Sequence, residues 1–242
     1  MRSITTIILL TILQAAWGPV LRAQYNPEKV REVLQKVQQA YKSASCLSFT
    51  VQYAYANMDK PDNAIDTLTG EVEMDKVRSH VILSGTETVV TDRYSIQVLP
   101  QDKLLYVSSA PAASVMDPVG GIDSVLTYLD KFQTDLTEDA GNQVLTIRFP
   151  QGGRFSQVRM TVDGKTGYLQ EMIYEMSTAG MVSRGGSYQA QGRISIRFSD
   201  YRKGAFKESV FDVNNYFTQV NGQFLPGKSY KDYHIFWAQS PH

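Results

Sequence analysis

The chain has 242 residues, 43% of them hydrophobic, with 24 basic and 24 acidic residues and a single cysteine. Such a charge balance supplies no broad positive field for nucleic acid or an anionic membrane. Cys46, being alone, excludes an internal disulfide, so stability has to come from a packed core.

Arg2 precedes the apolar run Ile4 to Leu13, too short at about ten residues to span a bilayer, and Leu21-Arg22-Ala23 offers a small residue at a cleavage point. Met1 to Ala23 therefore reads as a signal peptide of an exported protein. No cysteine stands near the cut, so no lipid can be attached there. The remainder, 24–242, is roughly 220 residues, a length that suits one β domain.

Asn26-Pro27-Glu28 has the order of an N-cap, a first-turn proline and a first-turn acid. Val30, Val33, Leu34, Val37, Tyr41 and Ala44 then recur at three- and four-residue steps, predicting an amphipathic helix from Pro27 to Ser43. Leu47, Phe49, Val51, Tyr53 and Tyr55 alternate with smaller or polar residues, which puts all five on one face of a strand. A turn at Asn57–Asn63 leads to a second strand around Val72 and Met74. Further strands are expected at Ser79–Ser84, Glu87–Thr91, Tyr94–Leu99 and Leu104–Ser108. The short breaks between them imply antiparallel neighbours.

Ile122, Val125, Leu126, Leu129 and Phe132 return to helical spacing, predicting a mid-chain helix. Strands resume at Val144–Phe149, Val158–Val162 and Tyr168–Met176, the last two joined by the turn Asp163-Gly164-Lys165-Thr166-Gly167. Gly180–Gly192 reads as a surface loop. Ile194, Ile196 and Phe198 define one more strand, and Ser209–Val213, Gln219–Phe224 and Tyr233–Trp237 are expected to complete the sheet.

Catalytic signatures are missing: no G-x-S-x-G elbow, no phosphate-cradling or dinucleotide glycine pattern, and no histidine pair at metal spacing. His80 is expected on a strand surface, and Asp92 and Asp163 are expected to shape turns. The chain is read as not an enzyme, with no cofactor. What remains is greasy surface, including Met74, Met160, Met172, Met176 and Met181, whose flexible thioethers suit either a core or a pocket for disordered acyl chains. The densest basic stretch is Arg193, Arg197, Arg202, Lys203 and Lys207.

Two regions resemble the LolA-like periplasmic lipoprotein carriers. One comprises Phe49-Thr50-Val51-Gln52, Gly70 to Arg78, and Glu87 to Pro100 with its Asp92-Arg93-Tyr94 turn. The other is Val158 to Gln170, with Asp163-Gly164-Lys165-Thr166-Gly167 at its turn. The resemblance implies a mainly β (α+β) fold: a strongly curved antiparallel sheet forming an incomplete barrel, its concave face lidded by the N-terminal helix and the mid-chain helix. It implies a periplasmic carrier that shields acyl chains of lipoproteins or other lipids on the way to the outer membrane. A membrane-associated donor or acceptor would be its partner, nucleic acid would not, and the protein would be a monomer.

On that reading Phe49, Val51, Tyr53, Val72, Met74, Ile96, Val98, Met160, Met172, Leu126 and Leu129 line the cavity. The family's functional arginine falls on Lys76, and Lys76, Arg78 and Arg202 are candidate contacts for a lipid head group or partner. A sensor or protein-interaction module on the same fold, using Ser183–Gln191 and the Arg202 region, is the alternative.

Overall fold

The computed structural model describes residues 26–75, 77–110, 118–151, 153–177, 191–204 and 207–238. The expected signal peptide, Lys76, Met181 and most of the glycine-rich segment Gly180–Gly192 lie outside the described residues.

Helix α1 spans Pro27–Lys42 and starts as its sequence dictates. Asn26 Oδ1 accepts the amides of Glu28 and Lys29 at 3.1 and 3.2 Å, and Pro27 fills a first-turn position that needs no donor. Val30, Val33, Leu34, Val37 and Tyr41 form its buried stripe.

The strands follow as β1 (Leu47–Asn57), β2 (Ala64–Met74), β3 (Ser79–Leu83), β4 (Thr86–Val90), β5 (Tyr94–Leu99) and β6 (Leu104–Ser109). Helix α2 (Ile122–Thr127) precedes β7 (Gln133–Asp139), β8 (Asn142–Arg148), β9 (Phe155–Asp163), β10 (Leu169–Ser177) and β11 (Gln191–Lys203). Then come β12 (Phe217–Val220), β13 (Gln223–Pro226) and β14 (His234–Ala238).

Twelve strands make one sheet in the order β14-β6-β5-β4-β3-β2-β1-β11-β10-β9-β8-β7. Its two ends are not joined, so the architecture is mainly β, an open and incomplete barrel with two helices, as expected. Neighbours are antiparallel except β14, which returns parallel to β6 after the chain has crossed a face of the sheet.

The structure departs from expectation in three places, two of them in the C-terminal region. Ser209–Val213 is not a strand: Glu208–Phe211 and Val213–Asn215 are short 3-10 turns. Gln219–Phe224 is broken in its middle by Asn221-Gly222, both at positive φ (50° and 81°), which folds it into the separate β12–β13 hairpin. Upstream, the mid-chain helix stops at Thr127, a 3-10 turn covers Leu129–Lys131, and β7 follows as an edge strand whose polar side chains carry little alternation.

The sheet buries different faces in its two halves. Directly opposed residues share a face, and the register runs Phe49↔Val72↔Val81 within the core under α1. That same face continues as Thr88↔Gln97↔Tyr106↔Phe236, polar and then exposed, with Phe236 54% accessible. The other face of that half carries Val89, Ile96, Val98, Leu105 and Val107, packed under Phe211, Tyr216 and Phe217. Ile96 and Val98 therefore belong to a second core, and the expectation that they line the cavity is corrected.

Candidate functional site

Across the first half of the sheet, one lateral row joins Tyr53, Ile196, Met172, Met160, Leu145 and Leu136 from six adjacent strands. The adjacent row holds Ile194, Tyr174, Val158 and Ile147. Between these rows and α2 the packing leaves a cavity of about 340 Å³. Its floor is Phe49, Val51, Tyr53, Val72, Met160 and Met172 together with Ile147, Val158, Tyr174, Ile196 and Phe198. Pro118, Gly121, Ile122 and Val125 wall it from the helix side, and Phe149 and Phe155 complete the lining.

Six of the expected lining residues thus surround the cavity: Phe49, Val51, Tyr53, Val72, Met160 and Met172. Met74 sits on the margin of the main core and Leu126 packs beside it without reaching the space. Leu129 is fully buried in that core. The helix stripe is rotated from expectation, so that Ile122 and Val125 face the cavity while Leu126 and Leu129 do not.

Nor does α1 form a wall. Its buried stripe joins Leu47, Leu145 and Leu169 in solid core, and it is tied to α2 by Gln38 Nε2 donating to Asp123 Oδ1 at 2.7 Å. The Asp163–Gly167 turn docks on the other side of α1. Asp163 Oδ1 accepts the amides of Lys165 and Thr166 at 2.9 and 2.7 Å, and the Lys36 ammonium donates to Gly164 O. Gly167, at φ +77°, comes so close to Lys36 and Ala40 that a Cβ would sit 3.1 Å from the helix backbone. Asp163 shapes its turn as expected. At Asp92 the work falls to Thr91, whose Oγ1 accepts the amides of Arg93 and Tyr94.

No charged side chain lines the cavity among the described residues. Its polar groups are the hydroxyls of Tyr53 and Tyr174, both held above the ordinary phenol value by burial, so they remain neutral donors. Tyr174 Oη lies 3.7 Å from Met172 Sδ. Nine lining residues, including Phe49, Val51 and Val72, are buried, whereas Phe155 is 36% exposed and Gly121 open. The space is thus lined mostly by buried side chains and borders solvent at Phe155 and Gly121.

The basic candidates lie elsewhere. Arg78 pairs with Asp75 and Glu208, each at 2.7 Å, and its guanidinium lies 4.5 Å over the Phe211 ring. It clamps the 3-10 turn onto the β2–β3 connection, so a free head-group contact is not its arrangement here. Arg202 is exposed on β11 and removed from the cavity lining.

Sequence reasoning missed two features. Ile196 stands in the Ile194–Phe198 alternation, and Tyr174 and Phe198 belong to the same greasy inventory as the methionines, but none of the three was placed in the lining. His80, expected at the surface, is 8% exposed, with Nδ1 3.1 Å from Glu73 Oε2 and Nε2 3.1 Å from Glu87 Oε1. Glu87 also accepts the hydroxyls of Tyr216 and Tyr230, at 2.7 and 3.2 Å. Its burial comes from the C-terminal segment folding over that face, which no local pattern announces.

No protein-family model matches the chain, and no curated protein matches it. Among solved structures it is similar to an uncharacterized conserved protein from Thermus thermophilus, at 11% identity over 87% of this chain and 99% of the other, with a TM-score of 0.49. It is also similar to a LolA superfamily protein from Nitrosomonas europaea (11% identity, 75% and 96% covered, TM-score 0.35). A third is the lipoprotein LppX of Mycobacterium tuberculosis (13% identity, 73% and 98% covered, TM-score 0.39). At these scores the fold description stands on the chain's own strand register.

Proposed function

We propose that this protein is an extracytoplasmic lipid binder that shields an acyl chain in the cavity between the Tyr53–Met160 row and α2, and carries it between membranes as the LolA-like resemblance implies. The observation that carries the reading is a space of about 340 Å³ with aliphatic, aromatic and thioether walls and no charged lining side chain among the described residues. That volume lies at the small end of ligand pockets and suits one slender tail. At about 0.8 kcal/mol per buried methylene, a twelve-carbon chain half covered gains about 5 kcal/mol, and a fully covered one about twice that. The methionines at its floor adapt to a flexible tail. Phe49, Val51, Tyr53, Val72, Met160 and Met172 would contact it.

Native mass spectrometry of protein purified from expressing cells is expected to show a co-purified lipid, and a fluorescent fatty acid is expected to bind the stripped protein. A clean unliganded mass together with no fatty-acid binding would sink the proposal.

A further inference from the structure

Arg154 stands beside the cavity's solvent border at Phe155. Its guanidinium lies 5.9 Å from the centroid of the Phe155 ring, within cation–π range. Phe155 in turn lies 5.6 Å from the Tyr174 ring, and both rings line the cavity. Arg154 is exposed, and no carboxylate pairs with it among the described residues.

This contrasts with Arg78, held between two acids, and with Arg197, which pairs with Glu171 at 3.3 Å. Arg154 is thus a cation beside an exposed lining ring of a cavity with no charged lining side chain among the described residues, and none of the described acids pairs with it. The buried aliphatic lining would take hydrocarbon, the Tyr53 and Tyr174 hydroxyls bring no charge, and Arg154 beside Phe155 would favour a negative group. Guanidinium forms paired hydrogen bonds equally well with carboxylate and phosphate.

We infer that the cavity's ligand is a single-tailed amphiphile with an anionic head, carboxylate or phosphate, seated at Arg154. The inference rests on the proposed reading of the cavity as an acyl-chain site. It names the head group that reading leaves open.

The test is calorimetric titration of the purified, lipid-stripped protein with dodecanoate and dodecyl phosphate, each below its micelle concentration, and with dodecanol below its solubility limit. Because Arg154 is solvent-exposed, its charge is worth a modest factor. The anionic amphiphiles should bind about two- to fivefold tighter than dodecanol. Arg154→Gln should equalise the three, Arg154→Lys should keep most of the preference, and added salt should shrink it.

Which anion binds tighter separates the carboxylate source from the phosphate source. Dodecanol binding as tightly as dodecanoate and dodecyl phosphate, or a preference that survives Arg154→Gln, overturns the head-group inference and leaves the cavity reading standing. Failure of all three to bind removes the cavity reading itself.

Discussion

His80 Nε2 lies 3.1 Å from Glu87 Oε1, a contact between adjacent strands β3 and β4 that is covered by the C-terminal segment. Burial alone would lower the imidazole's affinity for protons, but hydrogen bonds to Glu87 and Glu73 outweigh it and hold His80 above its ordinary 6.5. Hydrogen bonding from His80, helped by Tyr216 and Tyr230, holds Glu87 below its ordinary 4.5. The raised histidine contributes stability that is complete below pH 6.5 and lost as pH rises through its folded value. The lowered glutamate contributes above pH 4.5 and loses that contribution as pH falls through its own. Stability from this one contact is therefore expected to peak between pH 4.5 and 6.5. Denaturant unfolding across pH should show that maximum, and His80→Gln should flatten it. A curve unchanged by the substitution would refute the assignment.

Tyr201 holds the junction of α1 with the sheet. Its hydroxyl donates to Leu169 O at 2.8 Å and accepts from Tyr41 Oη at 2.6 Å, while its ring stacks on Tyr168 at 4.5 Å. Tyr201→Phe keeps the stack and removes both hydrogen bonds, leaving a buried carbonyl without its donor. We expect a loss of about 2 kcal/mol, seen as roughly 4–8 °C in melting temperature. A variant melting with the wild type would show those bonds to be replaced by water.

Filling the cavity should separate binding from folding. Ile196 lies in the lateral row between Tyr53 and Met172 and is only partly buried. Ile196→Trp projects a ring into open space, so dodecanoate affinity should fall about tenfold or more as two or more methylenes lose their cover. The melting temperature should move little. Undiminished affinity would place the ligand elsewhere.

Gly70 sits where β2 passes close to β3. A Cβ there would meet Ile82 O at 2.3 Å, a backbone atom that cannot swing aside. Gly70→Ala is therefore expected to cost about 2 kcal/mol by forcing the strands apart, measurable by chemical denaturation. A neutral result would mean that the β2–β3 pairing yields more readily than its register suggests.

Arg78→Met should release the Glu208–Phe211 turn without touching the cavity. Faster amide hydrogen exchange is expected across 208–217, with dodecanoate affinity unchanged. Exchange identical to the wild type would show the turn to be held by Phe211 packing alone.

Much of this fold was legible from the chain. The Asn26 cap, the period-two run from Leu47 to Tyr55 and the Asp163–Gly167 turn are local features, each with a local cause. The cavity floor was half legible, since alternation groups Phe49, Val51 and Tyr53 on one face. Alternation cannot say which face of a later strand is covered, and this hid the second core: Ile96 and Val98 alternate as cleanly as Val72, yet point the other way. Asn221-Gly222 was readable as a turn and was overlooked inside an apparently continuous strand. The burial of His80 depends on residues more than a hundred positions downstream, beyond the reach of any window.

The change of covered face at β3 also separates two tasks. Val81 and His80 are chain neighbours that look in opposite directions, and the two cores share no buried side chain. Substitutions on either side should combine additively. The vault behind Tyr53 can then be recut while the far masonry under Phe211 goes on bearing the weight.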